Sequence, residues 1–133
     1  MSNKKYIKRG VISSLSNVAF HNKAKSPLKR IFMLSEPDIK EHGVRIVVHQ
    51  IKKLPKKVKE YCELHVHQYD EINLILSESG KLVYSIQLGD EVFKVVSPAA
   101  IYIPAGLKHS ANVISGKGLF VADIFTNKYK AYK

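Results

Sequence analysis

The fold of this chain is decided by two stretches, HVHQYDE at residues 65–71 and PAGLKHSAN at residues 104–112. In the first stretch, His65 and His67 stand two positions apart, and side chains with that spacing on an extended strand point to the same face. On a helix the same side chains would diverge by about 200°. Glu71 follows four residues after His67 and can return a carboxylate oxygen to the same point if the strand bends or ends before it. The stretch therefore offers two imidazoles and one carboxylate to a single ion.

The second stretch adds a third imidazole from a distant part of the chain. Pro104 and Gly106 indicate a turn, and the residues from His109 onward alternate as a strand does. Imidazole suits iron, nickel and zinc, and an added carboxylate keeps manganese open. We therefore predict one divalent transition-metal site made of His65, His67, Glu71 and His109. The remaining histidines are interpreted as ordinary polar residues, because a lone histidine is seldom a ligand: His21, His42 and His49.

These two stretches resemble the paired motifs of the cupin family. The first motif reads glycine, five residues, HxH, three or four residues, glutamate, six residues, glycine. The second reads glycine, five residues, PxG, two residues, histidine, three residues, asparagine. The chain matches the ligand positions and the PxG turn, and the resemblance covers about residues 44 to 125. It departs from the motifs where they shape turns, at Lys59, Gly80, Pro98 and Asn112.

The cupin resemblance implies an all-β fold, a double-stranded β-helix of the jelly-roll barrel type. It also implies one bound divalent metal, with iron expected first and manganese, nickel, zinc or cobalt as alternatives. The family includes iron dioxygenases and metal-dependent isomerases, decarboxylases and lyases. We expect a metal-dependent enzyme, of the dioxygenase type first, that acts on a small anionic or carbonyl-bearing metabolite. A non-catalytic metal- or ligand-binding module and an isomerase or lyase stay open, whereas a metal-free epimerase has no use for Glu71.

Strand signals fill the chain from residue 61 onward, where short alternating or apolar runs are separated by turn residues. The clearest is a hairpin in which LVYSIQL and EVFKVV flank Gly89 and Asp90, a pair suited to a type II′ turn. No stretch after residue 61 keeps the period of a helix. The predicted strands cover residues 45–51, 62–67, 71–77, 81–88, 91–96, 100–103, 109–114 and 119–125.

At 133 residues the chain is long enough to bury the core of one domain. We expect residues 1–43 to form an N-terminal arm with the first strand or strands, packed on a barrel domain of residues 44–133. Within the arm, LKRIFML reads as a strand before a turn at residues 35–37, whereas residues 6–20 fit a strand, a helix or an extended arm. Because the arm is apolar enough to need cover and an open sheet edge gains by pairing, we also expect a homodimer.

The net charge of +11 is confined to the N-terminal half of the chain. Residues 1–60 hold 15 Lys or Arg and 4 Asp or Glu, whereas residues 61–133 hold 7 of each kind. Lysine outnumbers arginine 12 to 3 in the basic half, which disfavours arginine-led recognition of DNA bases. We therefore predict a solvated surface rather than nucleic-acid binding. Arg45 is the one arginine placed to pair with an anionic substrate, although a surface ion pair is the commoner role.

The single cysteine excludes an intrachain disulfide, and no apolar run approaches the roughly 20 residues of a membrane span. We therefore expect a cytoplasmic protein with a small-molecule substrate and no membrane partner. On a regular strand Cys62 would point away from His65 and His67, so we interpret it as a small buried residue.

The candidate general bases outside the ligand set are Glu63, Tyr69 and Tyr102. Residues of these types are more often structural, so no catalytic residue is assigned.

Overall fold

The strands that the structure describes are all paired antiparallel. The structure is a computed structural model that describes residues 3–14, 18–34, 43–126 and 130–133. Within these ranges it contains a short 3-10 helix at Asn3–Tyr6 and nine strands. The strands are β1 (Val11–Ser13), β2 (Lys29–Leu34), β3 (Arg45–Ile51), β4 (Glu71–Leu76), β5 (Leu82–Leu88), β6 (Glu91–Val96), β7 (Ala99–Ile103), β8 (His109–Gly116) and β9 (Gly118–Ile124).

The strands form two sheets, one of six strands in the order β1-β2-β3-β9-β4-β7 and one of three in the order β6-β5-β8. Burial alternates along β3, β4 and β9 as the two-residue period requires, and β4 buries Glu71, Asn73 and Ile75 while Leu76 is exposed. Side chains from both sheets meet in one core, where Tyr84 of β5 stacks on Phe120 of β9. The prediction of an all-β jelly roll is confirmed as two antiparallel sheets.

Most of the predicted strands are present, within one or two residues at their ends. The hairpin prediction is confirmed, because Leu88 pairs with Glu91 across a two-residue turn in which Gly89 has φ +60°. LKRIFML contains β2, and the ambiguous stretch before it contains β1. The turn predicted at residues 35–37 lies outside the described residues.

The strand predicted over residues 62–67 is wrong. That stretch has only two isolated bridges, His65 with His109 and Val66 with Tyr132. The backbone N–H groups of Tyr61 and Cys62 both donate to the side-chain oxygen of Asn112 at 2.9 Å, and the Asn112 amide donates to the Cys62 carbonyl at 3.0 Å. Because a side chain satisfies these backbone groups, the start of the stretch needs no neighbouring strand.

The N-terminal strands extend the larger sheet. β1 pairs with β2, and β2 pairs with β3, so residues well before the recognised motifs share a sheet with β4 and β9. The division between an arm at 1–43 and a domain at 44–133 stays a prediction. None of the helical residues that the structure describes forms a helix long and apolar enough to cross a membrane.

Candidate metal centre

The four predicted ligands come from separate parts of the fold, and all are buried. His65 and His67 lie on the segment that precedes β4, Glu71 is the first residue of β4, and His109 is the first residue of β8. Their exposed fractions are 2, 1, 8 and 3% respectively. Four polar side chains at such burial require partners, either within the protein or in a bound ion.

The two motifs are hydrogen-bonded directly to each other. The His65 N–H donates to the His109 carbonyl at 3.0 Å, and the His109 N–H donates to the His65 carbonyl at 2.9 Å. The turn of the second motif also contacts the first motif, because the Gly106 N–H donates to the His67 carbonyl at 2.8 Å. Gly106 has φ +86°, a conformation that favours glycine. This backbone pairing explains why two stretches forty residues apart can present their histidines together.

Each of the three histidines has one ring nitrogen fixed by a backbone carbonyl two residues away. The Nδ1 atoms of His65, His67 and His109 lie 2.8, 2.9 and 2.9 Å from the carbonyl oxygens of Glu63, Tyr69 and Leu107. A carbonyl oxygen can only accept, so each Nδ1 carries the hydrogen. The lone pair of each neutral ring is then on Nε2, as in histidines that bind a metal.

The remaining ring nitrogens converge, as a metal site requires. One ligand nitrogen from each of His65, His67 and His109 lies within 4.8 Å of the others. The His109 Nε2 atom is buried and has no hydrogen-bond partner among the described residues. An unpartnered lone pair at this burial is what a bound cation would satisfy. The three histidines therefore fit a transition-metal ion.

Glu71 lies outside this three-histidine group and contacts it through His67. Its Oε1 atom lies 3.0 Å from the His67 Nε2 atom, and two ligand atoms at about 2.1 Å from one ion are about 3 Å apart when their bonds form a right angle. Its Oε2 atom accepts from the Asn73 amide at 2.7 Å, which fixes the carboxylate. The position of Glu71 thus fits that of a fourth ligand beside His67.

The protonation of these groups also suits metal binding. Burial lowers the pKa of His65 to about 3 and lowers the pKa of His109. At Glu71, burial acts to raise the pKa, but the adjacent His67 ring, the electrostatic effect of His109 and the hydrogen bond from Asn73 outweigh it, so the pKa is lowered. Neutral imidazoles and an ionised carboxylate are the forms that bind a cation.

A cavity of about 70 Å³ adjoins the ligands, and His65, Glu71 and His109 form part of its wall. Pockets for drug-sized ligands measure about 300–1,000 Å³, so this one suits a molecule of only a few non-hydrogen atoms. Its wall also includes the apolar side chains Val18, Val47, Phe120, Ala122 and Ile124. The cavity therefore joins a polar end at the ligands to an apolar body.

Two arginines line the same cavity. Arg30 of β2 is buried, and its Nη1 atom donates to the Ser13 hydroxyl at 2.9 Å. The guanidinium groups of Arg30 and Arg45 lie 4.3 and 4.6 Å from the centre of the Phe32 ring. Arg45 thus lies where the sequence argument placed an anion-binding residue. The sequence analysis does not identify Arg30 as a site residue. The one feature of the sequence that marks it is a positive charge within an apolar strand.

Two further histidines, His21 and His49, line the cavity. From the sequence alone, both are interpreted as ordinary polar residues. His49 stacks on Phe120, and burial lowers its pKa to about 3. His21 contacts the His65 ring edge-on, with 4.8 Å between the ring centres. No spacing pattern marks His21 as part of the site, because its neighbours in sequence include no other ligand-type side chain.

The candidate general bases Glu63, Tyr69 and Tyr102 do not line the cavity. Tyr69 stacks on His67, and its hydroxyl donates to the Lys130 carbonyl at 3.0 Å. A carboxylate oxygen of Glu63 lies 3.0 Å from the Lys133 amine, and Tyr102 is exposed. Their positions fit the structural roles that are commoner for such residues.

Cys62 is buried, as the sequence analysis interpreted it, and burial raises the pKa of its thiol to about 12. Its orientation differs from the one expected on a regular strand. The sulfur lies within 4.8 Å of ligand nitrogens of His21 and His65, and Cys62 lines the cavity. The difference arises because residues 61–64 do not form a strand, so the alternation of faces does not apply to them.

Comparisons with known proteins identify the fold. No protein-family model matches the chain. No curated protein matches it by sequence. Solved structures do match it. An RmlC-like cupin from Shewanella frigidimarina aligns with a TM-score of 0.55 and 12% identity, over 87% of this chain and 83% of that one. The structure of KdgF from a Halomonas species aligns with a TM-score of 0.52 and 16% identity, over 77% and 81%.

Oxalate decarboxylase from Bacillus subtilis, in its E162A mutant, aligns with a TM-score of 0.58 and 16% identity over 96% of this chain. The chain spans about a third (33%) of that enzyme, which contains Mn(II) centres. Sequence identities this low show that the folds are alike and show nothing about activity. The chain therefore has the cupin fold, and the resemblance drawn from its two motifs is confirmed at that level.

Proposed function

We propose that the chain is a metal-dependent cupin enzyme in which His65, His67, Glu71 and His109 hold one divalent transition-metal ion. The observation that carries the proposal is the arrangement of the three histidines, whose Nδ1 atoms are fixed by carbonyls while one ligand nitrogen of each lies within 4.8 Å of the others. The ion proposed first is iron, with manganese, nickel, zinc and cobalt as alternatives. The Mn(II) centres of oxalate decarboxylase, which has the same fold, support a metal of this group.

The substrate proposed is a small anionic or carbonyl-bearing metabolite. A divalent ion with one carboxylate and three neutral imidazoles keeps a formal charge of +1, which attracts an anion or polarises a carbonyl. Arg30 and Arg45 line the same cavity, and guanidinium groups pair well with carboxylates. The size of the cavity, about 70 Å³, favours a molecule of only a few non-hydrogen atoms.

The reaction proposed is an oxidation of the dioxygenase type, because the motifs resemble a family that includes iron dioxygenases. The ion would supply Lewis-acid or redox chemistry at the polar end of the cavity. The protein's own part would be to orient the anionic group through Arg45 and to exclude water with side chains such as Val47 and Phe120. An isomerase or lyase, and a binding module without catalysis, are the alternatives that the experiment below separates from it.

An oxygen electrode and a cobalt-substituted protein test this proposal together. The iron-loaded protein should consume O₂ with at least one member of a panel of small carboxylates, thiols and diketones. In the cobalt form, chelating carboxylates should shift the visible spectrum, and neutral alcohols should not. Replacing Arg45 with glutamine should weaken the carboxylate effect by roughly tenfold or more, whereas the exposed-site control Lys117→Gln should leave it unchanged.

Each negative result has a separate meaning. A carboxylate-dependent spectral shift without O₂ uptake would contradict the dioxygenase and favour an isomerase, a lyase or a binding module. A spectrum that no small carboxylate moves would contradict the anionic substrate.

We also propose that the protein is a cytoplasmic homodimer. We propose that it does not bind nucleic acid, since the basic residues concentrate outside the motif half of the chain.

A further inference from the structure

The N-terminal segment brings His21 against one of the proposed ligands. The His21 N–H donates to the Val18 carbonyl at 3.2 Å and so closes a turn, within which Phe20 has φ +64°. Such a φ is uncommon for a residue with a side chain. The Phe20 ring also stacks on the His65 ring, with centres 6.0 Å apart. His65 is therefore contacted by two consecutive residues of this turn.

The turn is fixed to the segment that carries Cys62. The Glu63 N–H donates to the Phe20 carbonyl at 2.6 Å, and the Lys23 N–H donates to the Tyr61 carbonyl at 3.1 Å. Backbone hydrogen bonds thus hold the turn on both sides of Cys62. The position of His21 relative to Cys62 follows from the backbone and does not depend on a surface side chain.

His21 has the same orientation as the three proposed ligands. Its Nδ1 atom lies 2.7 Å from the Ala19 carbonyl, again two residues away, so Nδ1 carries the hydrogen and Nε2 carries the lone pair. One ligand atom each from His21, Cys62 and His65 lies within 4.8 Å of the other two. The three atoms are two imidazole nitrogens and one sulfur.

We propose that His21, Cys62 and His65 form a second metal site that favours a soft, thiophilic ion such as Cd²⁺ or Cu⁺ and competes with the first site for His65. A sulfur ligand favours soft ions, whereas the carboxylate of the first site favours harder ones. On binding, the S–H bond of Cys62 breaks, a sulfur–metal bond forms and the proton passes to solvent. His65 has a single available lone pair, because its Nδ1 atom donates to Glu63, so it can serve one ion at a time.

The binding of a soft ion at this site goes beyond the proposed function, whereas its competition for His65 rests on the first metal site of that function. Occupation by a soft ion would withdraw His65 from the first site and weaken that site's hold on Mn²⁺. A thiophilic ion would then act as an inhibitor of whatever chemistry the first site performs. Neither consequence requires knowledge of the substrate.

Cadmium is a suitable probe, because it is redox-inert and reports a sulfur ligand directly. Titration of Cd²⁺ into the whole chain should produce a thiolate-to-cadmium charge-transfer absorption in the ultraviolet. The ¹¹³Cd NMR spectrum of the unaltered protein should show a resonance in the range of mixed sulfur and nitrogen ligation. Saturating Cd²⁺ should also lower the apparent affinity for Mn²⁺ by tenfold or more in the unaltered chain. The decrease should be smaller in Cys62→Ser, where Cd²⁺ can compete only by binding the first site directly.

Variants assign the signal to its residues. Cys62→Ser should abolish the absorption, and His21→Ala should weaken Cd²⁺ binding by roughly 10- to 100-fold. The matched control His67→Ala removes a ligand of the first site alone and should retain the absorption. Both Cys62→Ser and His21→Ala should still bind Mn²⁺, so failure of this proposal is distinguishable from failure of the first site. A protein saturated with Cd²⁺ that shows neither sulfur signal, or a His21→Ala variant that binds Cd²⁺ as tightly as the unaltered chain, would overturn it.

Discussion

Ring orientation is the residue-scale feature on which the proposed centre depends. His65, His67 and His109 each use Nδ1 to hold a backbone carbonyl, so the protein backbone itself fixes their rings. A preoriented ring loses little side-chain freedom when it binds, which favours tight metal binding. Spacing in the sequence predicts which residues these are. It does not predict their orientation, because the carbonyls that fix them depend on local backbone geometry.

The carboxylate of Glu71 is held by Asn73, and removing that contact should weaken the metal site. Asn73 is 1% exposed and donates to Glu71 Oε2 at 2.7 Å. Asn73→Ala should lower the affinity for Mn²⁺ by roughly 10- to 100-fold, the usual effect of losing a group that orients a ligand. Calorimetric titration would measure the change, with Leu76→Ala on the same strand as the control. Unchanged affinity in Asn73→Ala would show that the amide does not orient the ligand.

His49 should make the metal-free protein sensitive to acid. Burial, and next the charge of Arg30, lower its pKa to about 3 from 6.5. Between these values the unfolded chain binds a proton that the folded chain does not, so the free energy of unfolding falls as the pH falls from 6.5 towards 3. The contribution of one such group is at most about 1.4 kcal/mol per pH unit.

Urea unfolding of His49→Gln across that pH window, with a chelator present, checks this expectation. The variant cannot take up the proton, so its free energy of unfolding should fall less steeply with acid than that of the unaltered chain. The other buried histidines remain in both proteins and cancel in the comparison. Identical slopes would mean that His49 is not held neutral by the fold.

At the scale of elements, the segment before His65 depends on one side chain instead of a strand partner. Asn112 of β8 accepts from the N–H groups of Tyr61 and Cys62 and donates to the Cys62 carbonyl. Asn112 is itself buried. Since each buried polar group left without a partner costs about 1–3 kcal/mol, this one carboxamide is a large part of what holds the segment.

Two substitutions at Asn112 separate its acceptor role from its donor role. Asn112→Ala leaves three buried backbone groups without a partner and should lower the free energy of unfolding by roughly 3 kcal/mol or more. Asn112→Asp keeps the acceptor and replaces the amide donor with a carboxyl group, so its effect should be smaller at a pH where that group is protonated and carries no buried charge. Urea titrations of both variants measure the difference. Equal losses in the two variants would contradict the assigned hydrogen bonds.

Alternation in the sequence predicts strands well where a neighbouring strand completes the ladder. It predicts β3, β4 and β9 closely, because their buried and less buried positions follow the two-residue period. It fails at residues 62–67, where the pattern is strand-like but Asn112, fifty residues away, takes the backbone hydrogen bonds. No local rule indicates that a distant side chain will replace a strand.

For the whole molecule, the basic N-terminal half and the neutral half meet at the cavity. His21 and Arg30 come from the first forty residues, whereas His65, Glu71 and His109 come from the motifs. The motifs predict the ligands, because a metal needs particular residue types at particular spacings. The residues that line the cavity depend on the order of the strands in the sheet. No local pattern in a single sequence predicts that order. Arg30 and His21 were missed for this reason.

Association of two chains remains a prediction at this scale. The edge strand β1 and the residues before it expose large apolar side chains, at Tyr6, Ile7, Val11 and Ile12. Such side chains at a sheet edge favour pairing with another chain. Light scattering should therefore give the mass of a dimer, and removal of residues 1–14 should shift it towards the monomer. A full-length chain that stays monomeric at high concentration would exclude the dimer.

The most direct test of the proposed metal centre is equilibrium dialysis against Mn²⁺, an ion that the thiol-containing site does not favour. The unaltered chain should bind about one ion, and so should His49→Gln, which changes a buried histidine of the same cavity outside the ligand set. His67→Ala and His109→Ala should lose the ion while their far-ultraviolet circular dichroism stays that of the folded protein. Binding of a full equivalent of Mn²⁺ by both of these variants would contradict the assignment of His65, His67, Glu71 and His109 as the metal ligands.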